Sequence, residues 1–458
     1  MSDSTRPAHL GPIEFVPGIT RSHALIKLWA SFVGISSLSG ISILQSYILN
    51  VHMHVPRAAQ GTLSGDLAFW TEIVALLLFI PCGIAADRFG RRAVLSFGFV
   101  MVALGWALYP FATNPAELLA YRMIYAVGAP AVASSLATLV NDYPVDRSRG
   151  LFIGITSVCN TLGTIFITAF IGRIPDYVHA YEIDAVTGGK MMFLFGAALC
   201  LGTALLVARG LAPGGGPPGG RGAPGPPPPV GELFASIFRA TRNPRISIAY
   251  AGALIARSDV VVKALFLALW AVQAGRGEGL SPARAMAQFG IMITIMYGAS
   301  LISAPIFGWV IDRVNRVTAL LIALATGATG YLSMYFLTSP LHLNMAPLLI
   351  ILTLGTGFMV KATLSLLGQE APVAERASVI AGSSFCGAFG ILVFSVVGGR
   401  VFDSVGPWAP FVLAGAYQLV LLVIATVVRI VAPGPMPVDF RARAASRAVR
   451  RRAGAPRG

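Results

Sequence analysis

The sequence predicts an all-α membrane protein of about twelve transmembrane helices in two pseudo-symmetric six-helix halves. Three observations carry this expectation. Charged residues make up 12% of the 458 residues, where a soluble domain carries roughly 25%. Mean hydropathy is +0.74. The apolar residues gather into stretches close to the ~20 residues that a helix needs to cross hydrocarbon. So few charges cannot coat a water-facing surface at this length, so apolar side chains must face lipid. Only helices or closed barrels can cross, because lipid offers no partner to a free backbone group. These stretches are apolar on all faces, which selects helices over alternating barrel strands.

The elements follow in chain order. The first 23 residues are polar and contain Pro7, Pro12 and Pro17. The apolar stretch 24–50 is too long for the core of a signal peptide, so it is expected as a retained first span. Five more spans fall near 66–86, 93–113, 117–140, 150–172 and 191–208. A second set lies near 246–271, 285–311, 317–338, 346–369, 377–399 and 408–430. Pro81, Pro130 and Pro305 fall inside spans, which neighbouring helices make tolerable in a membrane. The segment 210–230 is a Gly/Pro run that cannot pack a core and reads as a linker. After it, Leu233, Phe234, Ile237 and Phe238 share a helical face beside Arg239 and Arg242, as in a short helix on the membrane surface. The expected divisions are 1–209, a first six-helix half; 210–245, linker and interfacial helix; 246–430, a second half; and 431–458, a basic tail.

Charge sets the expected orientation. With the N-terminus in the cytoplasm, 24 of the 34 Lys and Arg residues, Lys27 among them, fall on the cytoplasmic side and 6 on the other. Without the seven arginines from Arg441 to Arg457 the count is still 17 against 6. Both termini are therefore expected in the cytoplasm of a multi-pass cell-membrane protein. The net charge of +15 is a topology signal and not one for nucleic acid. Cys82, Cys159, Cys200 and Cys386 all lie in apolar stretches without a C-x-x-C pair. They imply no disulfide framework or metal site, and no cofactor is expected. A phosphate-binding Gly-Lys-Ser/Thr loop is missing from the sequence, which disfavours an ATP-driven pump. The chain is not expected to be an enzyme.

Between spans two and three the chain reads GIAADRFGRR, Gly83 to Arg92; between spans eight and nine it reads GWVIDRVNR, Gly308 to Arg316. Both carry G-x-x-x-D-R followed by Arg at the same place within a six-span half, an internal repeat that points to a transporter of two related halves. In these residues the sequence resembles the major facilitator superfamily. The first copy matches that family's signature loop at every defined position; the second has Asn315 in place of a glycine. The resemblance implies that Gly83, Asp87, Arg88, Gly90, Arg91 and Arg92, echoed by Gly308, Asp312 and Arg313, latch the halves on the cytoplasmic side when the cavity opens outward. Physically, Gly83 permits a close helix approach, Asp87 can meet a cation or a helix N-terminus, and Gly90 permits a tight turn. A simpler reading is that the arginines only obey the positive-inside rule. The fourth-span run AYRMIYAVGAP partly resembles a second family element, placing Arg122 in the membrane and Gly128 at a helix contact. The markers of drug/proton antiporters in span five and of sugar porters after span six are missing.

Ionisable residues inside spans are the main site candidates, since each costs roughly 2.5–3.5 kcal/mol at the bilayer centre. They are Glu72, Arg122, Arg257, Asp259, Lys263 and Lys361; Asp142 and Glu370 sit at cytoplasmic ends and read as interfacial. The resemblance places the first, fourth, seventh and tenth helices around a central cavity. With Glu72 counted, these groups leave a surplus of +2, which favours an anionic substrate. Asp259 and Lys263, four apart, also fit a purely structural pair, and Arg122 and Lys361 fit snorkelling. Gln45 and Asn50 on the first span add polar candidates. The expectation is a monomeric secondary transporter of a small organic anion, working by alternating access with Asp259 or Glu72 carrying a coupling proton. Efflux of amphipathic drugs is the alternative, and a non-transporting receptor on the same fold a third.

Overall fold

The computed structural model describes residues 8–212, 235, 237–372 and 376–435, with only the backbone at 87, 146, 259, 260, 376 and 377. Twelve long helices account for most of these: α1 (Arg21–Tyr47), α2 (Arg57–Phe89), α3 (Arg91–Leu108), α4 (Pro115–Asp142), α5 (Arg149–Ile165) and α6 (Ala185–Gly210), then α7 (Pro244–Gly277), α8 (Pro282–Arg313), α9 (Arg316–Leu332), α10 (Ala346–Glu370), α11 (Arg376–Ser404) and α12 (Ala409–Val431). The α1 path continues through a π-turn, Ile48–His52, and that of α5 through short turns into Ile174–His179. Eleven of the helices are long and apolar enough to cross a membrane. The twelfth is α7, whose 34 residues span about 51 Å at 1.5 Å per residue. The protein is thus an integral membrane protein. Leu201, Leu205, Val423 and Val427 stand exposed on its outer surface, as a lipid solvent requires.

Packing repeats six helices on. In the first half α3 packs on α4 and α6, α1 on α5, and α2 on α4; in the second, α9 packs on α10 and α12, α7 on α11, and α8 on α10. Close approaches occur where side chains are missing. A Cβ on Gly128 would meet Met101 Cβ at 2.8 Å, and one on Gly330 would meet the Leu352 backbone at 2.6 Å. This is small-residue packing of helices in lipid. The proline-bearing helices α2, α4 and α8 stay continuous through Pro81, Pro130 and Pro305.

The chain before α1 departs from expectation. Rather than a polar leader, residues 8–20 form a small antiparallel hairpin, His9–Leu10 against Ile13–Glu14. Ile13 and Phe15 are fully buried, and Phe15 meets Phe152 of α5 edge-on at 5.6 Å. Glu14 N–H donates to Ser148 Oγ at 3.1 Å, and its carboxylate pairs with Arg147. Thr20 then caps α1 in a reciprocal box with His23.

Both ends of the helical bundle emerge on one side, the terminal face; the opposite side is the far face. Hydrogen bonds and ion pairs join the halves at mid-depth and nearer the far face. Gln273 of α7 donates to Gln60 of α2 at 3.0 Å, Arg276 to the Asn50 carbonyl at 3.1 Å, and Arg400 pairs with Asp66 at 3.3 Å. Toward the terminal face the halves part. A Cβ on Gly83, Gly150, Gly154, Gly298 or Gly308 would meet nothing within 4 Å. The bundle is closed at the far face and open at the terminal one.

Candidate functional site

At mid-depth an ion pair joins the two halves. Arg257 of α7 reaches Glu72 of α2 with 3.4 Å between Nη2 and Oε1, the Glu72 side chain 12% exposed and that of Arg257 49%. The separation suits charge attraction, but Glu72 Oε1 receives no hydrogen bond, so the two charges are loosely engaged. The fold turns Arg257 across the gap to the other half.

Deeper in the first half lies Arg122, 2% exposed. Its Nε donates to Thr71 Oγ1 at 3.1 Å and its Nη2 to Ser42 Oγ at 2.7 Å. The guanidinium lies 5.1 Å from the Tyr125 ring centre and 6.0 Å from that of Tyr109. Nη1 is buried without a partner. Burial at the joint of α1, α2 and α4 excludes the snorkelling reading. Two hydroxyls and two aromatic faces hold the cation, and one N–H-bearing nitrogen is left over. That is an arrangement suited to an incoming oxyanion.

In the second half Lys263 is 6% exposed and sits 5.0 Å from the Tyr297 ring centre. The Asp259 side chain lies outside the described residues, so the proposed Asp259–Lys263 pair stays a proposal. Lys361 Nζ folds back on the Gly357 carbonyl at 3.3 Å, one turn toward the far face. It does not snorkel to the terminal face. Arg257, Lys263 and Lys361 share the second half; Glu72 and Arg122 belong to the first.

Gln45 and Asn50 are placed elsewhere. Gln45 donates to Ser64 at 3.0 Å and accepts from Tyr109 at 2.7 Å. Asn50 exchanges hydrogen bonds with Gln60 and donates to the Ser46 carbonyl at 2.7 Å. Both are buried in the far-face seal with their polar groups engaged, and not on an open wall.

The signature loop turns Arg91 and Arg92 inward on their own half and leaves Arg88 exposed. Gly90 has φ +86°, a conformation that L side chains rarely adopt. Arg91 pairs with Asp142. Arg92 Nε donates to the Ala208 carbonyl at 2.6 Å, closing the last turn of α6. In the second copy Asn315 takes over part of that work, donating to the Pro433 carbonyl at 2.6 Å beyond α12. Arg316 pairs with Asp312 at 3.5 Å, and Arg313 covers the Trp309 ring at 3.8 Å. Arg88 lies over Phe89. Gly83 faces open space, and the Asp87 side chain is outside the described residues. In this conformation nothing described approaches Gly83 from the other half.

Sequence reasoning missed Lys27. Counted with the topology cations, it is fully buried in α1, donating to Thr156 Oγ1 at 2.6 Å over the Phe152 ring. Its place inside an apolar run, beyond the first turn of α1, was the available signal. Of the expected interfacial helix, Leu233 and Phe234 lie outside the described residues. Phe238 is 71% exposed, whereas Ile237 packs inward near Gly382.

Comparison with known proteins agrees with this architecture. The model of the Major Facilitator Superfamily matches residues 28–379 and 279–454. The chain is 27% identical to magnetosome protein MamH of Paramagnetospirillum magneticum over 88% of its length and 91% of that protein. It is 24% identical to magnetosome protein MamZ of Magnetospirillum gryphiswaldense, of which it spans only 62%. Weaker likenesses divide on substrate. One is to a gallate transporter of Pseudomonas putida, 26% identical over 82% of this chain and 83% of that one. Another is to the multi-drug resistance efflux pump PmrA of Streptococcus pneumoniae, 25% identical over 77% and 79%. The crystal structure of the nucleoside transporter NupG, in a D323A mutant, superposes with TM-score 0.70 at 14% identity, covering 88% of this chain and 99% of that one. Repeated halves, the signature loop and the family match together make this chain a member of the major facilitator superfamily of membrane transporters.

Proposed function

We propose that the chain is a secondary transporter of a small organic anion, bound between the halves and carried by alternating access. The observation that carries this reading is Arg122, a buried guanidinium with one nitrogen unpartnered and held by hydroxyls and rings. Arg257, half exposed and loosely held by Glu72, and Lys361 supply further positive charge along the opening. In a low-dielectric gap such a surplus attracts an anion and repels a cation. Transport is proton-coupled in this reading, with Asp259 or Glu72 titrating. The monomer sits in the cell membrane with both termini in the cytoplasm, so the terminal face is the inner one and the conformation described is open inward. The domain divisions at 209, 245 and 430 follow from the same reading. The signature loop with Asp87 latches the inner face in the outward-open state. The likeness to the magnetosome proteins MamH and MamZ favours a second location, the magnetosome, which fluorescence imaging of a tagged chain decides.

Purified protein in proteoliposomes tests the reading. Uptake of a counterflow substrate should be inhibited by small carboxylates and not by lipophilic cations. Inhibition by lipophilic cations alone would replace it with drug efflux, and binding without uptake would leave a receptor.

A further inference from the structure

The far face is closed mainly by α2 against α11, and the contact has a particular construction. Asp403, near the C-terminal end of α11, accepts from the backbone N–H of Gly61 at 2.8 Å through Oδ1 and from that of Thr62 at 2.7 Å through Oδ2. Both amides belong to the opening turns of α2, the positive end of that helix. Three glycines bring the backbones together. A Cβ on Gly61 would stand 2.7 Å from both the Asp403 carboxylate and the Gly399 carbonyl; one on Gly65 would strike the Ser395 carbonyl, and one on Gly399 the Gly61 backbone. Arg400 adds its ion pair with Asp66 at the rim.

Gly399 and Asp403 have the same spacing as Gly83 and Asp87: a glycine, three residues, then an aspartate at the end of a long helix. The first pair ends α11 on the far face; the second ends α2 on the terminal face. Helix α2 therefore presents its start to the α11 carboxylate at one face and carries its own carboxylate at the other. The same spacing ends the α5 path, Gly172 to Asp176, but there no hydrogen bond joins Asp176 to the start of α8 among the described residues.

We propose that Gly399 and Asp403 form a second latch, the far-face counterpart of the signature loop, which holds the far face shut while the terminal face is open. Opening the far face breaks two charge-assisted hydrogen bonds, the stronger kind. It also separates a backbone contact that no longer side chain can bridge. Asp403 thus weights the balance between the two open states, whatever the cargo. The claim does not rest on the anion reading and survives its failure.

Distance measurements between spin labels test it in the full-length chain, with Cys82, Cys159, Cys200 and Cys386 replaced by alanine. One labelled pair, Ala58→Cys with Ser404→Cys, reports the far face. Another, Leu151→Cys with Ile306→Cys, reports the terminal face. Asp403→Ala should lengthen the far-face distance and shorten the terminal one in a larger share of molecules. The expected change in the population ratio is about ten-fold, or about 1.4 kcal/mol. Asp176→Ala, with the same spacing and no such bond, should leave both distributions alone. Unchanged distributions in folded Asp403→Ala would overturn the proposal. So would a lower melting temperature without any redistribution, which would make Asp403 a structural staple only. Should Asp403→Ala not fold, Asp403→Asn keeps the shape and one acceptor. It must then show the same shift at smaller size, and wild-type distributions in that variant overturn the proposal equally.

Discussion

A guanidinium among lipid-facing helices costs roughly 2.5–3.5 kcal/mol on insertion scales. Arg122 offsets part of that through Ser42, Thr71 and the rings of Tyr109 and Tyr125. Its unpartnered nitrogen is where a substrate oxyanion would complete the set. Arg122→Gln should therefore weaken anion binding about ten- to a hundred-fold, read as substrate affinity in proteoliposome counterflow. Unchanged affinity would remove Arg122 from the site. Glu72 gives a prediction of opposite sign. It competes with an anion for Arg257, so Glu72→Gln should tighten anion binding at fixed pH. If Glu72 also carries the coupling proton, that variant should lose pH-driven accumulation and keep exchange. If Asp259 carries it, Asp259→Asn should show that loss instead. A pH-jump uptake assay beside a counterflow assay on both variants assigns the role.

At the scale of the helix, closeness is bought by glycine. A Cβ on Gly330 of α9 would stand 2.6 Å from the Leu352 backbone of α10, and backbone cannot swing aside as a flexible side chain can. Gly330→Val should cost about 1–3 kcal/mol through forced separation of the helices, seen as lower folded yield and an earlier thermal transition in detergent. Gly90→Ala should cost about 1 kcal/mol for another reason, its φ of +86°. Such elements were legible in advance. The fourth span, expected at 117–140, is the helix Pro115–Asp142, because apolar length is a local property. The hairpin at 9–14 was not legible, since strands of two residues are too short to show a period. The burial of Lys27 was signalled by its apolar surroundings but missed, because a lysine near a span end ordinarily anchors at headgroups.

For the whole molecule, the repeat was the most legible feature and the pairing between halves the least. Two copies of a loop can be read along the chain. Which side chains meet across hundreds of residues, as Asp403 and Gly61 do, depends on how two bodies rest together. The same distinction governs two molecule-wide predictions. Asp87→Asn should leave expression intact and reduce transport at least about ten-fold by shifting the population away from the outward-open state; normal transport by a well-expressed variant would remove the inner latch. Truncation after Phe440 removes seven arginines that can each gain about 1 kcal/mol at an anionic surface. It should lower membrane abundance without changing turnover per molecule, measured as uptake normalised to surface protein.

The hairpin at the start of the chain also sets an order of events during biosynthesis. Glu14 finds its partner at Ser148, and Phe15 its partners at Pro144 and Phe152, more than a hundred residues later. While the ribosome makes the first four spans, this short segment waits with its apolar side chains uncovered. It docks only when the turn into α5 has emerged on the same side of the membrane. Its closure therefore waits on the turn after α4 and the first turn of α5.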